Sequence, residues 1–373
     1  MKQKIKQAKL MPESVIELSK GVYKYTSNKP FYFESKKAIP SLELQYESYG
    51  KLNKDKSNVI LIHHSLSVGA HVARHNNIDT ENLNDEPEGW WENFVGPNKA
   101  LDTNKYYILC INNLGSCFGS SGPSLNSINS ETNAPYLKNF PQVTFKDIVN
   151  SQRKLLSYLK IERLYAIFGS SMGGMISLTW LQSAPNMIEK IFLCATAYKA
   201  YSFNIANRIV QKEAILSDQK YLCGFYKKNP IIGLKLARKI GLLFYRGIPE
   251  LNQRFSNKDA DNIYSYYEYN AEKFTKAFDA NSYVYILNCM DNFDLSKNKL
   301  NTNIFPKAKT KIFLVSIDND LLFPSYQQED LYLELKKSFK NISFIKHKTP
   351  YGHDSFFIET KQYSDYIGQF IIS

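Results

Sequence analysis

Leu164-Tyr165-Ala166-Ile167-Phe168-Gly169-Ser170-Ser171-Met172-Gly173-Gly174-Met175 is an apolar, β-prone run that ends in small residues and passes into a helical pattern. Gly169 to Gly173 read Gly-x-Ser-x-Gly, with Ser171 at the centre. This is the form of a nucleophile elbow, a sharp strand-to-helix turn that exposes a serine hydroxyl. The glycines have a steric purpose, because side chains at 169 and 173 would collide with neighbouring backbone. Five residues of this pattern also occur by chance in turns. The strand before and the helix after are the context the motif requires.

Outward from the elbow, the chain alternates strands with helices. Asn58 to His63 is a continuous apolar run, as expected of a strand buried on both faces. Tyr106 to Ile111, Lys190 to Ala195, Lys311 to Ser316 and Ile342 to Ile345 read likewise as strands. Asp147 to Lys160 has helical periodicity, the helix after the elbow stops before Pro185, and a last helix starts near Lys361. Phe31–Phe33 and Leu42–Tyr49 suggest an antiparallel pair at a sheet edge. Residues 1–28 show little period and read as a loosely attached arm. From about Tyr198 to Leu300 the alternation stops and the pattern is helical throughout. These features predict an α/β fold with a mostly parallel sheet, a core of residues 1–197 and 301–373, and a helical insertion over 198–300.

Composition excludes several classes. The 373 residues are 43% hydrophobic and 22% charged, as in ordinary globular proteins. The basic start, Met1 to Lys6, has no apolar segment behind it, and no run approaches the ~18 residues of a membrane span. Five cysteines without CxxC spacing suit a reduced, cytoplasmic protein. The net charge of +12 fits either a lysine-rich surface or a phosphate-bearing partner such as coenzyme A. It lacks the compact basic block with interleaved aromatics expected for nucleic acid.

A serine nucleophile needs a base, and the base needs a third group to hold its tautomer. Behind this kind of elbow the order is Ser, then Asp or Glu, then His. Of the six histidines, His347 and His353 come late enough. His353, in the loop Tyr351-Gly352-His353-Asp354, is the better placed. Asp318 and Asp320 both qualify as the acid on order alone. The expected oxyanion donors are the backbone amides of Met172 and of Leu66, in the loop after the Asn58–His63 strand. His64 in that loop reads as structural. His71 and His75 share an i,i+4 spacing that suits a metal, but no acidic third ligand is evident, so no metal is expected.

Further segments complete a family signature: Gly89 to Thr103, beginning Gly89-Trp90-Trp91, Asn113 to Pro123, Phe278-Asp279-Ala280-Asn281-Ser282-Tyr283, Asp320 to Pro324 and Tyr351 to Asp354. With them the chain resembles the homoserine O-acetyltransferase family of methionine biosynthesis, from about residue 30 to the C-terminus. The resemblance implies an α/β-hydrolase fold with Ser171 as nucleophile, Asp320 as acid and His353 as base. It implies that Arg238 and Asp354 contact the amino-acid substrate, and that residues 198–300 are a lid and homodimer element. It further implies acetyl-CoA and L-homoserine as substrates, with no permanently bound cofactor. Succinyl-CoA or serine as substrates, simple ester hydrolysis, and a non-enzymatic binding role are the alternatives. Two departures stand out. Where the family usually has His-Ala-Leu-Thr-Gly, this chain has His64-Ser65-Leu66-Ser67-Val68, and valine resists positive φ. Asn98 also replaces a usual glycine, a milder change because asparagine tolerates that region.

Overall fold

The computed structural model describes residues 12–75, 88–256, 260–298 and 303–372. The basic stretch Met1 to Lys6 lies outside them. Nine strands form one sheet: β1 (Ser14–Ser19), β2 (Val22–Thr26), β3 (Glu43–Tyr49), β4 (Val59–His63), β5 (Tyr107–Ile111), β6 (Leu164–Ser170), β7 (Ile188–Cys194), β8 (Lys311–Ile317) and β9 (Ile342–His347). Their spatial order is β1-β2-β3-β5-β4-β6-β7-β8-β9. From β5 to β9 all neighbours are parallel, while β1, β2, β3 and β5 pair antiparallel.

Burial explains the apolar runs. Along β4, Val59 and Leu61 enter one core, and Ile60 and Ile62 enter another on the opposite face. One face is covered by α1 (Phe145–Tyr158) and α2 (Met172–Ser183); on the other, α10 (Thr360–Ile372) packs Tyr363, Ile367 and Phe370. Helix α1 starts where its chemistry dictates. Thr144 caps the Asp147 amide and the Asp147 carboxylate returns to the Thr144 amide.

Between β7 and β8 run α3 (Ser202–Leu216), α4 (Ile231–Leu242), α5 (Ile248–Arg254), α6 (Ala260–Ala277) and α7 (Ala280–Asp291). They join the α1/α2-side core through Ile215, Leu234, Ala237, Phe274 and Tyr283. After β8 come α8 (Ser325–Lys336), then β9 and the short α9 (Ser355–Ile358). Among the described residues no helix is long and apolar enough to cross a membrane.

The N-terminal quarter departs from expectation. Residues 14–26 are not a loose arm but the β1–β2 hairpin at the sheet edge. Its turn uses Gly21 at φ +76°, with the Gly21 amide donating to Glu17 Oε1. The partner of the Leu42–Tyr49 stretch is β2, not Phe31–Phe33; Phe31–Tyr32 pairs with Ala38–Ile39 in a separate two-stranded sheet. An edge strand with mostly exposed side chains, as in β1, carries no hydrophobic alternation to read.

Candidate active site

The parallel strands β4, β6, β8 and β9 end at the same edge, and the loops leaving them converge. At the end of β6, Ser171 adopts φ 55° and ψ −125°, a strained conformation for a non-glycine residue. Its amide donates to Cys194 O (3.0 Å) and its carbonyl accepts from Thr196 Oγ1 (2.9 Å). A Cβ at Gly169 would stand 2.4 Å from Gly173 O, and one at Gly173 would stand 2.1 Å from His63 O. The turn is therefore built against the adjoining strand β4. Gly173→Ala is expected to lower unfolding stability by about 1–3 kcal/mol, since the obstructing atom is backbone and the packing is already tight; chemical denaturation reads this.

His353 lies in a helical turn after β9 and is buried. Its Nδ1 is 2.7 Å from Asp320 Oδ2. Asp320 is fixed in turn, because its Oδ1 accepts the amides of Leu322 and Phe323 at 2.8 Å each. Asp318 is exposed and its neighbour two residues on is the carboxylate that meets the histidine. Burial on its own depresses the His353 imidazole, but the charge and hydrogen bond of Asp320, with the Asp354 charge, outweigh it and hold its pKa above the ordinary value. Phe323 stacks on the ring (centroids 5.6 Å apart, 24°) and Phe356 meets it edge-on.

The other early and late histidines have different tasks. His347 contacts Glu359 Oε2 (2.7 Å) and Tyr366 Oη (3.2 Å). His63 lies between Ser177 Oγ (2.7 Å) and Gln152 Oε1 (3.1 Å), and burial pushes its pKa down to about 3. His64 contacts Ser65 O and accepts the Asn113 amide, with its pKa lowered by burial to about 4. Both stay neutral and structural.

A cavity of about 480 Å³ opens above Ser171, between the strand ends and helices α3, α4, α6 and α7. Ser171, Leu66, His353, Arg238 and Asp354 all line it, while Asp320 lies behind His353. Arg238 Nη1 donates to Ser67 Oγ (2.6 Å) and Tyr245 Oη (3.2 Å). The Asp354 carboxylate pairs with Arg246 Nε at 3.2 Å; burial raises its pKa, against the charges of His353, Arg246 and Arg238. Val68 lines the cavity too and keeps a negative φ, so the valine does not force the loop into strain. Asn98 does sit at φ 60°, its amide held by Asp102 Oδ1.

Sequence reasoning missed Ser67, Tyr245 and Arg246, and also the cavity-facing Arg208, Asn270 and Lys273. Arg208, Asn270 and Lys273 lie on helices and Ser67, Tyr245 and Arg246 in turns, and nothing local in the sequence shows that they face one space.

The sheet order, the strained elbow serine and the covered cavity define a protein of the α/β-hydrolase fold, and a family model described as alpha/beta hydrolase fold matches residues 58–360. A curated homoserine O-acetyltransferase from Deferribacter desulfuricans is 38% identical over 375 aligned positions, spanning 97% of each chain. The chain belongs to the homoserine O-acetyltransferase family. Among solved structures it is similar to homoserine O-acetyltransferase from Bacillus anthracis (TM-score 0.83, 26% identity, 94% of this chain and 98% of that one). It is also similar to esterase E22 (TM-score 0.82, 26% identity, 94% and 100%).

Proposed function

We propose that this protein moves an acetyl group from acetyl-CoA to the hydroxyl of L-homoserine, through an acetylated Ser171. The observation that carries the reading is the 2.7 Å contact of His353 with Asp320 beside an elbow serine in the covered cavity. With Nδ1 committed to Asp320, Nε2 of His353 takes the Ser171 proton as Oγ attacks the thioester carbonyl. The amides of Met172 and Leu66 receive the oxyanion. The C–S bond breaks, and His353 returns its proton to the departing thiolate. The homoserine hydroxyl then gives its proton to His353, attacks the acetyl-enzyme, and leaves as O-acetylhomoserine while Ser171 regains a proton. Arg238 takes the acceptor carboxylate and Asp354 its ammonium.

Among the described residues four cations, Arg208, Arg238, Arg246 and Lys273, line the cavity with one carboxylate, Asp354; Arg208 is paired with Asp291 and Arg246 with Asp354, so Arg238 and Lys273 carry the excess. That balance favours a phosphate-bearing donor and a carboxylate-bearing acceptor over a neutral ester. Residues 198–300 serve as the lid, keeping water from the acyl-enzyme, over a core of 1–197 and 301–373. On α3 and α4, Phe203, Val210, Ile231, Ile232 and Leu236 are exposed, an apolar face suited to a homodimer. All five cysteines are free, in keeping with a cytoplasmic setting, and the reaction needs no permanent cofactor.

Thiol release tests the reading. Purified protein is mixed with acetyl-CoA or succinyl-CoA, each with homoserine, serine or neither. Release that needs both acetyl-CoA and homoserine is the expected result. Equal release without any amino acid would mean hydrolysis, the second reading that the likeness to esterase E22 favours. Because His353 must be neutral to act and its pKa is raised, kcat/KM for acyl-enzyme formation should fall with decreasing pH from above the ordinary histidine value. Asp354→Asn, which removes one of the charges raising that pKa, should move the acidic limb to lower pH. An unmoved limb would separate Asp354 from His353 electrostatically.

A further inference from the structure

Away from the catalytic cavity, the loop after β4 brings two histidines onto one carboxylate. Glu47, on β3, is buried. Its Oε2 is 2.9 Å from His71 Nδ1 and 2.8 Å from His75 Nε2. The three donor atoms lie within 4.8 Å of one another. The acidic third group that the sequence did not reveal for His71 and His75 therefore comes from a strand far earlier in the chain. Nothing in the local i,i+4 spacing announces it.

We propose that Glu47, His71 and His75 form a binding site for one divalent cation of the zinc type. Two imidazoles and a carboxylate suit zinc and its borderline neighbours, whereas calcium and magnesium favour oxygen ligands alone. Bonds of about 2.1 Å in tetrahedral geometry set ligand atoms roughly 3.4 Å apart. The two carboxylate–imidazole separations, 2.8 and 2.9 Å, fall short of that value, so the carboxylate needs to retreat by about half an ångström.

The surroundings hold the ligands in place. Tyr49 Oη donates to the same Glu47 oxygen (2.7 Å), and its ring stacks on His75 with centroids 4.4 Å apart at 3°. Outer partners of this kind fix ligand orientation around metals. Burial raises the Glu47 pKa, but the hydrogen bonds from His71, His75 and Tyr49 more than reverse it and bring it to about 2. Oε2 accepts from Tyr49 and meets both imidazoles, so it presents the lone pairs that a ligand needs. When the cation enters, His71 Nδ1 and His75 Nε2 give up their protons to solvent or to the opposite ring nitrogen, and bind through lone pairs.

A surface cleft of about 320 Å³, lined by Gly21, Tyr49, Arg74 and His75 among others, offers the way in and room for a water as fourth ligand. None of the three ligands lines the cavity above Ser171. The cation's effect is structural: it cross-links β3 to the segment that follows Leu66 and Ser67, which reach into that cavity.

Wild-type protein dialysed against EDTA, then titrated with ZnCl2 in a calorimeter, should bind about one equivalent. Its melting temperature should rise by several degrees at saturating zinc and fall back with EDTA. His75→Gln and Glu47→Gln should lose both effects. No heat and no melting shift in the wild-type protein would overturn the proposal and leave a hydrogen-bonded cluster only. Unchanged zinc binding in folded His75→Gln protein would overturn it equally, by placing the ion elsewhere. The wild-type titration stands by itself if a variant does not fold, and neither arm depends on which acyl transfer the protein performs.

Discussion

Ser171→Ala is expected to reduce acyl transfer by at least about 10³-fold, with the melting temperature essentially unchanged. Alanine keeps the Cβ that the elbow already accommodates. It also keeps the backbone bonds to Cys194 and Thr196 that pin the turn. What it removes is Oγ, the atom proposed to carry the acyl group. His353→Ala should cost a comparable factor, because an unassisted hydroxyl is a poor nucleophile. The double variant should be scarcely worse than either single one, since groups that act as a unit are not additive. Thiol release under saturating donor measures all three. A Ser171→Ala protein that retained turnover would remove the elbow from the chemistry altogether.

How much of this was legible beforehand follows from burial. The central strands announce themselves because both faces are covered, and the elbow does because a Cβ at either glycine would stand 2.1 or 2.4 Å from a backbone oxygen. The order Ser, Asp, His narrows the candidates for a triad but leaves Asp318 and Asp320 level. Only family resemblance separated them in the sequence. The fold does so by geometry: the Leu322 and Phe323 amides turn the Asp320 carboxylate towards His353, while Asp318 stays in solvent. That difference depends on turn conformation, which order along the chain does not encode. Glu47 was hidden for a related reason. In an alternating strand a glutamate reads as the solvent face, and here a later loop folds over it. The β1–β2 hairpin was lost because an exposed edge has no hydrophobic period.

Arg238 offers the sharpest division between the two halves of the reaction. Its guanidinium sits on the rings of Phe274 (4.6 Å) and Tyr245 (4.9 Å). One nitrogen is spent on Ser67 and Tyr245, and Nε is buried without a partner among the described residues. A buried donor left unsatisfied costs free energy, and an acceptor carboxylate in the cavity would relieve it. Arg238→Met should therefore lower kcat/KM for homoserine about 10²–10³-fold, the worth of a charged hydrogen-bonded pair of about 3–4 kcal/mol. The pre-steady-state burst of thiol without acceptor should stay near the wild-type rate, because the donor's thioester does not need this fork. Arg238→Lys should recover only part of the loss, since a point charge cannot bind a carboxylate through two parallel bonds. The bond to Ser67 supplies the competing outcome. If the burst slows as much as the acceptor step, Arg238 acts by holding the loop that carries the Leu66 amide, not by binding the amino acid.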